Sequence, residues 1–248
     1  MPTVLILGAS SGLGYGLAEV YLKRGWNLGL AARRTLPLQA MARLATAQQQ
    51  VEVEQIDVCQ PEQAAAQLEN LCQRMGGNID LYLHCSGIGK MAPCVDYANE
   101  EPTLQTNVMG WTACIDWAFN HMLTQGYGQI AAITSFAANR GLAPAPAYAS
   151  SKAFQAHYLE SLRQFALARG LKHICITDLR PGFVATPLLA HPERLFWVLT
   201  PEKAVKSMLY AIDSKADIRT ITTRWRLLAP VLRWAPRWLI AKILARAL

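Results

Sequence analysis

The chain is short of charge, and the charge it has is unevenly signed. Lys, Arg, Asp and Glu make up 17% of its 248 residues. No acid lies between Ile218 and Leu248, a stretch holding seven of the 24 Lys and Arg, so Met1–Asp217 balances the other 17 against all 17 acids. The net charge of +7 therefore belongs to the tail. The body has no electrostatic reason to bind a polyanion, so no nucleic-acid partner is expected. There is no uninterrupted apolar run of about 18 residues, so no helix is expected to span a bilayer. The opening MPTVLILGASSG has no basic flank before its apolar run and no small-residue cleavage site after it. No secretory signal is expected. The six cysteines (59, 72, 85, 94, 114 and 175) show no C-x-x-C spacing, and no histidine has metal-ligand spacing. Neither a disulfide framework nor a metal site is expected, and a reducing cytoplasm is the expected setting.

What is present is an alternation of short apolar strands and longer helical stretches. Strands are predicted at Thr3–Leu7, Asn27–Ala32, Val51–Asp57, Ile79–Cys85, Gln129–Thr134, His173–Leu179 and Ile218–Thr222. Helices are predicted at Gly12–Arg24, Leu36–Gln50, Pro61–Met75, Glu101–Gln125, Ala147–Arg169 and Pro201–Asp213. This rhythm implies an α/β fold: a Rossmann-type, doubly wound, seven-stranded parallel sheet with helices on both faces. No linker divides it. Residues 1–223 are read as the nucleotide-binding and catalytic unit, and 224–248 as a basic helical extension of the same domain.

The turn from first strand to first helix reads Gly8-Ala9-Ser10-Ser11-Gly12-Leu13-Gly14. Glycines at such a junction let backbone approach a pyrophosphate, and the helix N-terminus offers it free N–H groups. A dinucleotide fold usually carries an acid about 20 residues on, for the adenosine ribose. Here the second strand ends Ala31-Ala32-Arg33-Arg34. Two guanidiniums at that point suit a 2′-phosphate, which favours NADP(H) over NAD(H). Further on, Tyr148 and Lys152 stand four apart, on one face of a predicted helix. A neighbouring ammonium lowers a phenol's pKa, and such a pair can exchange a proton with a carbonyl oxygen while hydride moves at carbon.

With Gly8–Gly14, Asn107, Ser135, Tyr148 and Lys152 in that order, the chain resembles the short-chain dehydrogenase/reductase family from Thr3 to about Thr222. The resemblance implies an oxidoreductase. Tyr148 would be its acid or base, and Lys152 would lower the tyrosine's pKa and bind the nicotinamide ribose. Ser135 would hold the substrate oxygen. Asn107 would help order a water beside the lysine and so support a proton relay. It also implies cofactor contacts at Gly8, Ser10, Ser11, Gly12, Leu13, Gly14, Arg33, Arg34, Asp57, Val58, Cys85 and Gly87. Tyr148, Lys152, Pro181, Gly182, Val184 and Thr186 complete that set, the last four within Pro181-Gly182-Phe183-Val184-Ala185-Thr186. Two places depart from the family pattern. Leu7 stands where Thr or Ser is usual, and His84-Cys85-Ser86-Gly87 replaces N-N-A-G. His84 is read as a satisfied core histidine. The family commonly forms dimers, here expected through Glu101–Gln125 and Ala147–Arg169, and tetramers through the seventh strand. A homodimer is expected.

The substrate pocket is expected between the loop after Ser135, the segment Ala143–Pro146 and the segment Phe183–Thr200. These carry Phe136, Leu142, Phe183, Leu188, Leu189, Leu195, Phe196 and Trp197, with few charges (Arg140, Glu193, Arg194) and His191. Such a lining suits a hydrophobic ketone or aldehyde. The alternative is a non-catalytic NADP(H)-binding regulator or redox sensor on the same fold. The tail is read as two short helical pieces divided by Pro230 and Pro236. Arg226 and Arg233 oppose Leu228 and Val231 in the first. Lys242 and Arg246 oppose Ile240, Ile243 and Leu244 in the second. Trp225, Trp234 and Trp238 with basic flanks fit peripheral contact with a membrane surface. Packing against the substrate lid or a partner subunit is the competing reading.

Overall fold

The computed structural model describes residues 1–90, 95–189 and 195–244. Seven parallel strands run β1 (Thr3–Leu7), β2 (Asn27–Ala32), β3 (Val51–Gln55), β4 (Leu81–His84), β5 (Gly128–Ile133), β6 (Ile174–Pro181) and β7 (Ile218–Ile221). Their spatial order is β3-β2-β1-β4-β5-β6-β7. The direction of winding reverses beside β1, between β2 and β4. Ligands of such sheets bind at the carboxyl ends of the strands at that point. Alternation along a strand sends successive side chains to opposite faces. Val4 and Ile6 join one core with Leu17, Leu30 and Met208, whereas Leu5 and Leu7 join the other with Leu68, Trp111 and Leu159. The sheet is thus apolar on both faces and covered on both, as predicted.

The helices are α1 (Gly12–Lys23), α2 (Leu36–Ala42), α3 (Pro61–Arg74), α4 (Tyr97–Leu104), α5 (Trp111–Gln125), α6 (Pro146–Ala168), α7 (Pro201–Asp213), α8 (Thr223–Trp234) and α9 (Arg237–Leu244). Three differ from expectation by more than a residue or two. The helix expected over Leu36–Gln50 stops at Ala42. The Gln49 side chain accepts from Thr46 N at 3.1 Å and donates to the Leu22 and Trp26 carbonyls at 2.9 Å. Side-chain bonds of that kind replace the helix ladder with a turn.

The helix expected over Glu101–Gln125 starts earlier, capped by Asp96, and changes register midway. Gln105–Gly110 is a π-helical turn between α4 and α5. An apolar period cannot reveal one inserted residue, and π turns cluster at functional sites. In the tail, Pro230 lies inside α8 and only Pro236 marks the break to α9. Of the two apolar residues set opposite Arg226 and Arg233, Leu228 is half-buried and Val231 is exposed. Trp225 is 3% exposed.

Candidate active site

The nucleotide end is built from backbone. Gly8 has a left-handed φ of 90°, and a Cβ there would lie 2.5 Å from Ser86 N. A Cβ on Gly14 would lie 2.3 Å from Gly8 O. Only glycine lets these loops close on one another, leaving a cradle at the N-terminus of α1. Ser11 occupies the cap position in extended conformation, but its side chain does not cap the helix. Its Oγ instead accepts from Arg34 Nη2 at 3.2 Å. The first-turn N–H groups of α1 thus remain for an anion, with Arg34 beside them. Arg33 and Arg34 are both exposed at the end of β2. Ser10 and Leu13 lie half-buried in the same loop.

The other expected cofactor contacts gather round this cradle. Asp57 Oδ1 accepts from Cys59 N at 3.0 Å, holding the turn after β3, and Val58 is buried beneath it. Cys85 N donates to Leu7 O at 2.8 Å, extending β4 along β1. Pro181 ends β6, Val184 bridges Leu199, and the Thr186 methyl lies 3.4 Å from where a Gly12 Cβ would be. These are contacts among the carboxyl ends of the strands, where the switch in winding opens the sheet. A phosphorylated dinucleotide fits the donors and the glycine-lined space.

The catalytic candidates converge one strand further on. Ser135 follows β5 and caps a short 3-10 turn, Phe136–Asn139, its Oγ accepting from Ala137 N at 3.1 Å. Tyr148 and Lys152 share a face of α6, whose Ala147 N–H is accepted by Glu100 Oε2 at 2.7 Å. That carboxylate satisfies one of the first-turn donors of the helix that presents the tyrosine. Lys152 is buried. Its Nζ lies 5.8 Å from the Tyr148 ring centroid and donates to Ile133 O at 3.2 Å and Gln155 Oε1 at 2.9 Å. Asn107 is buried in the π-helical turn. Its side chain accepts from Ile88 N at 2.9 Å and donates to Ile88 O at 2.7 Å and Ser151 Oγ at 3.1 Å. It pins the strand-end loop around Gly87 to α6.

Burial pushes Lys152 down to about 8, against the pull of Asp178. Burial also raises the Tyr148 phenol above its ordinary range, and the Ser135 hydroxyl draws it part of the way back. Desolvation of the phenol dominates, and two of the three ammonium donors go to Ile133 O and Gln155 Oε1.

The short chain dehydrogenase family matches this chain over residues 2–194. An uncharacterized oxidoreductase of Myxococcus xanthus (strain DK1622) is 35% identical over 76% of this chain and 74% of its own. An uncharacterized oxidoreductase of Mycobacterium tuberculosis (strain ATCC 25618 / H37Rv) is 30% identical over 94% of this chain and 90% of its own. The chain belongs to the short-chain dehydrogenase family, whose members are oxidoreductases. Its fold is that of a short-chain dehydrogenase from Sphingobium yanoikuyae solved in complex with NADPH, with a TM-score of 0.78 and 23% identity over 93% of each chain.

Three features of this short-chain dehydrogenase go further than the sequence reading. The first is Gln155, whose amide stands between Lys152 and Asn107. Its Oε1 accepts from the ammonium, and its Nε2 donates to Asn107 O at 2.8 Å. The resemblance implied a water beside the lysine, ordered by Asn107. Here the Gln155 amide joins Lys152 to the Asn107 carbonyl directly. A polar residue three after Lys152 on the helix was the available signal. The second is His84. It is in the core as expected but only half satisfied: Nδ1 meets Tyr82 Oη at 3.0 Å, while Nε2 has no partner among the described residues. Burial, with Lys152 nearby, pushes it down to about 3, so it stays neutral. The third is Trp225, whose ring centroid lies 4.6 Å from Phe136, 5.4 Å from Phe183, 5.6 Å from Phe196 and 5.7 Å from Trp197. A Cβ on Gly182 would overlap its indole. The tail thus packs against the expected substrate lid. His191, Glu193, Arg194 and Cys94 lie outside the described residues.

Proposed function

We propose that this short-chain dehydrogenase is an NADP(H)-dependent oxidoreductase acting on the carbonyl or alcohol carbon of a hydrophobic ketone or aldehyde. The observation that carries the reading is the convergence of Ser135, Tyr148 and Lys152 between the glycine cradle and the aromatic group of Phe136, Phe183, Phe196 and Trp225. Gly8–Gly14 and the first turn of α1 would hold the pyrophosphate. Arg33 and Arg34 would grip the 2′-phosphate, and Lys152 the nicotinamide ribose. Pro181, Gly182, Val184 and Thr186 would border the nicotinamide. Bound there, NADP(H) supplies or takes up the hydride.

The chain's own residues do the rest. Ser135 orients the substrate oxygen by a hydrogen bond. In reduction, Tyr148 gives its proton to that oxygen as negative charge develops on it. Its raised pKa keeps the phenol protonated near neutrality, as a proton donor requires. The Lys152 ammonium, charged below about pH 8, stabilises the phenolate left behind. In oxidation, the phenolate takes the alcohol proton. The aromatic wall excludes water and receives the apolar body of the substrate.

A homodimer through α5 and α6 accords with the exposed Met109, Phe154 and Phe165 on the π turn and α6. The described cysteines, 59, 72, 85, 114 and 175, are free thiols, which suits a reducing cytoplasm.

A panel of hydrophobic ketones and aldehydes with NADPH, followed by absorbance, tests the reaction. Turnover with a kcat/KM for NADPH well above that for NADH is expected. Replacing Arg33 and Arg34 together with Ala should lower that ratio by roughly 10–100-fold, the worth of one or two charge-assisted hydrogen bonds. A wild-type ratio near one removes the NADP(H) assignment. Tight NADPH binding with no turnover on any carbonyl leaves the non-catalytic regulator in its place.

A further inference from the structure

The inner side of α8 is taken up by the aromatic group around Trp225. Its outer side is not. Leu227, Val231 and Trp234 are 69%, 61% and 82% exposed, and their spacings of four and three put them on one stripe. Arg226 and Arg233 run along one border of that stripe, and Arg224 lies at the other. The helix therefore has two apolar faces parted by guanidiniums. On α9, Arg237, Ile240 and Ala241 turn inward, lining a cleft of about 420 Å³ with Arg140, Gly141 and Ala143. Trp238, 68% exposed, lies on the other side with Leu239 and Lys242. Arg140 Nη1 donates to Arg233 O at 2.8 Å, tying the end of α8 to the loop that follows Ser135.

An exposed apolar stripe ending in Trp234, with the exposed Trp238 on the next helix, marks an interaction surface. A second copy packed stripe to stripe would set arginine against arginine, with no acid between Ile218 and Leu248 to pair them. A surface of negative charge over hydrocarbon answers both features. Indoles settle at headgroup depth, short apolar faces enter the acyl boundary, and basic borders meet anionic headgroups. No helix among the described residues is long and apolar enough to cross a membrane, so the contact is peripheral.

We propose that the outer sides of α8 and α9 dock this protein on an anionic lipid surface, with Trp225 on the inner side joining that surface to the substrate site. Phe196 and Trp197, about half exposed beside Trp225, then lie near the lipid, and the substrate enters from the lipid phase. This last step rests on the carbonyl reading above.

The test is flotation of the full chain with vesicles of phosphatidylcholine alone, or with about one third phosphatidylglycerol. A basic residue held at an anionic surface raises partition by about five-fold. Flotation with the anionic vesicles is expected, at least about ten-fold weaker on neutral vesicles or in high salt. The variant Trp234→Ser/Trp238→Ser, altered only at exposed positions, should lose most of it at unchanged Tm. Three results overturn the proposal: no flotation of the wild type, equal flotation of the variant, or a variant whose sole change is loss of a dimer. Flotation does not depend on turnover, so a failed carbonyl panel leaves it standing. Turnover of a water-soluble ketone without vesicles tests the carbonyl reading separately. With the wild type active, added anionic vesicles should raise kcat/KM for a lipid-dissolved ketone and leave the water-soluble one unchanged.

Discussion

Tyr148→Phe is expected to lower turnover by roughly 10²–10⁴-fold, the usual worth of a positioned proton donor, while the Kd for NADPH stays close to that of the wild type. The substitution removes one oxygen from a side chain whose ring remains packed. The backbone of α6 keeps its cap, because Ala147 N–H still meets Glu100. Lys152 keeps both of its acceptors, Ile133 O and Gln155 Oε1. What disappears is the proton that the carbonyl oxygen must receive as hydride arrives at carbon. Single-turnover reduction measures the chemical step, and a fluorescence titration with NADPH measures binding. A variant with near-normal turnover means the proton comes from elsewhere, and Tyr148 is then part of the pocket wall only. A variant that loses NADPH binding along with turnover makes Tyr148 a nucleotide ligand first.

The features legible in the sequence are those with a local signature. Seven short runs separated by helical stretches give the sheet: the inner ones are mainly apolar, because a strand covered on both faces needs no polar side, while the edge strands β3 and β7 carry Glu52, Glu54 and Arg219. Gly8 and Gly14 were legible because only glycine tolerates the close approach of Gly8 to Ser86 and of Gly14 to Gly8, and Gly12 because its φ of 58° is left-handed. Tyr148 and Lys152 were legible because a spacing of four puts them on one helix face.

What escaped is non-local. The Gln155 amide matters only because a π turn, 48 residues earlier, aims the Asn107 carbonyl at it. Neither the slip of register nor the carbonyl's direction leaves a trace in the apolar period. For the tail, packing against the lid and contact with a membrane surface both stood as readings. Both faces of α8 are apolar, and composition does not say which one the fold covers. The end of α2 was missed because Gln49 bonds to carbonyls near the end of α1, a contact between distant segments.

Gln155→Leu should cost roughly 10–100-fold in kcat with a smaller change in KM. Gln155→Glu should instead move the alkaline limit of reduction upward. In the wild type the amide is a positioning residue for the ammonium, acting on the reaction through Lys152. Leucine fills similar space but leaves Lys152 Nζ with Ile133 O alone and takes the Gln155 donor away from Asn107 O. A hydrogen bond to a charged group is worth about 1.5–3 kcal/mol, which is one to two factors of ten in rate if the ammonium drifts from the phenolate. The same loss should lower Tm.

The sign of the pH effect follows from the depressed lysine. Its pKa of about 8 means that the ammonium, and the reduction that depends on it, is fully present at lower pH and is lost as pH rises through that value. A carboxylate in place of the amide attracts the proton, so the ammonium persists to higher pH and the alkaline limb follows it. Nothing that Gln155 does for packing alone predicts such a shift. Profiles of kcat/KM against pH that superimpose for wild type and Gln155→Glu would therefore detach Gln155 from the lysine. A shift of a unit or so with Tm preserved would tie the amide to the proton chemistry of Tyr148.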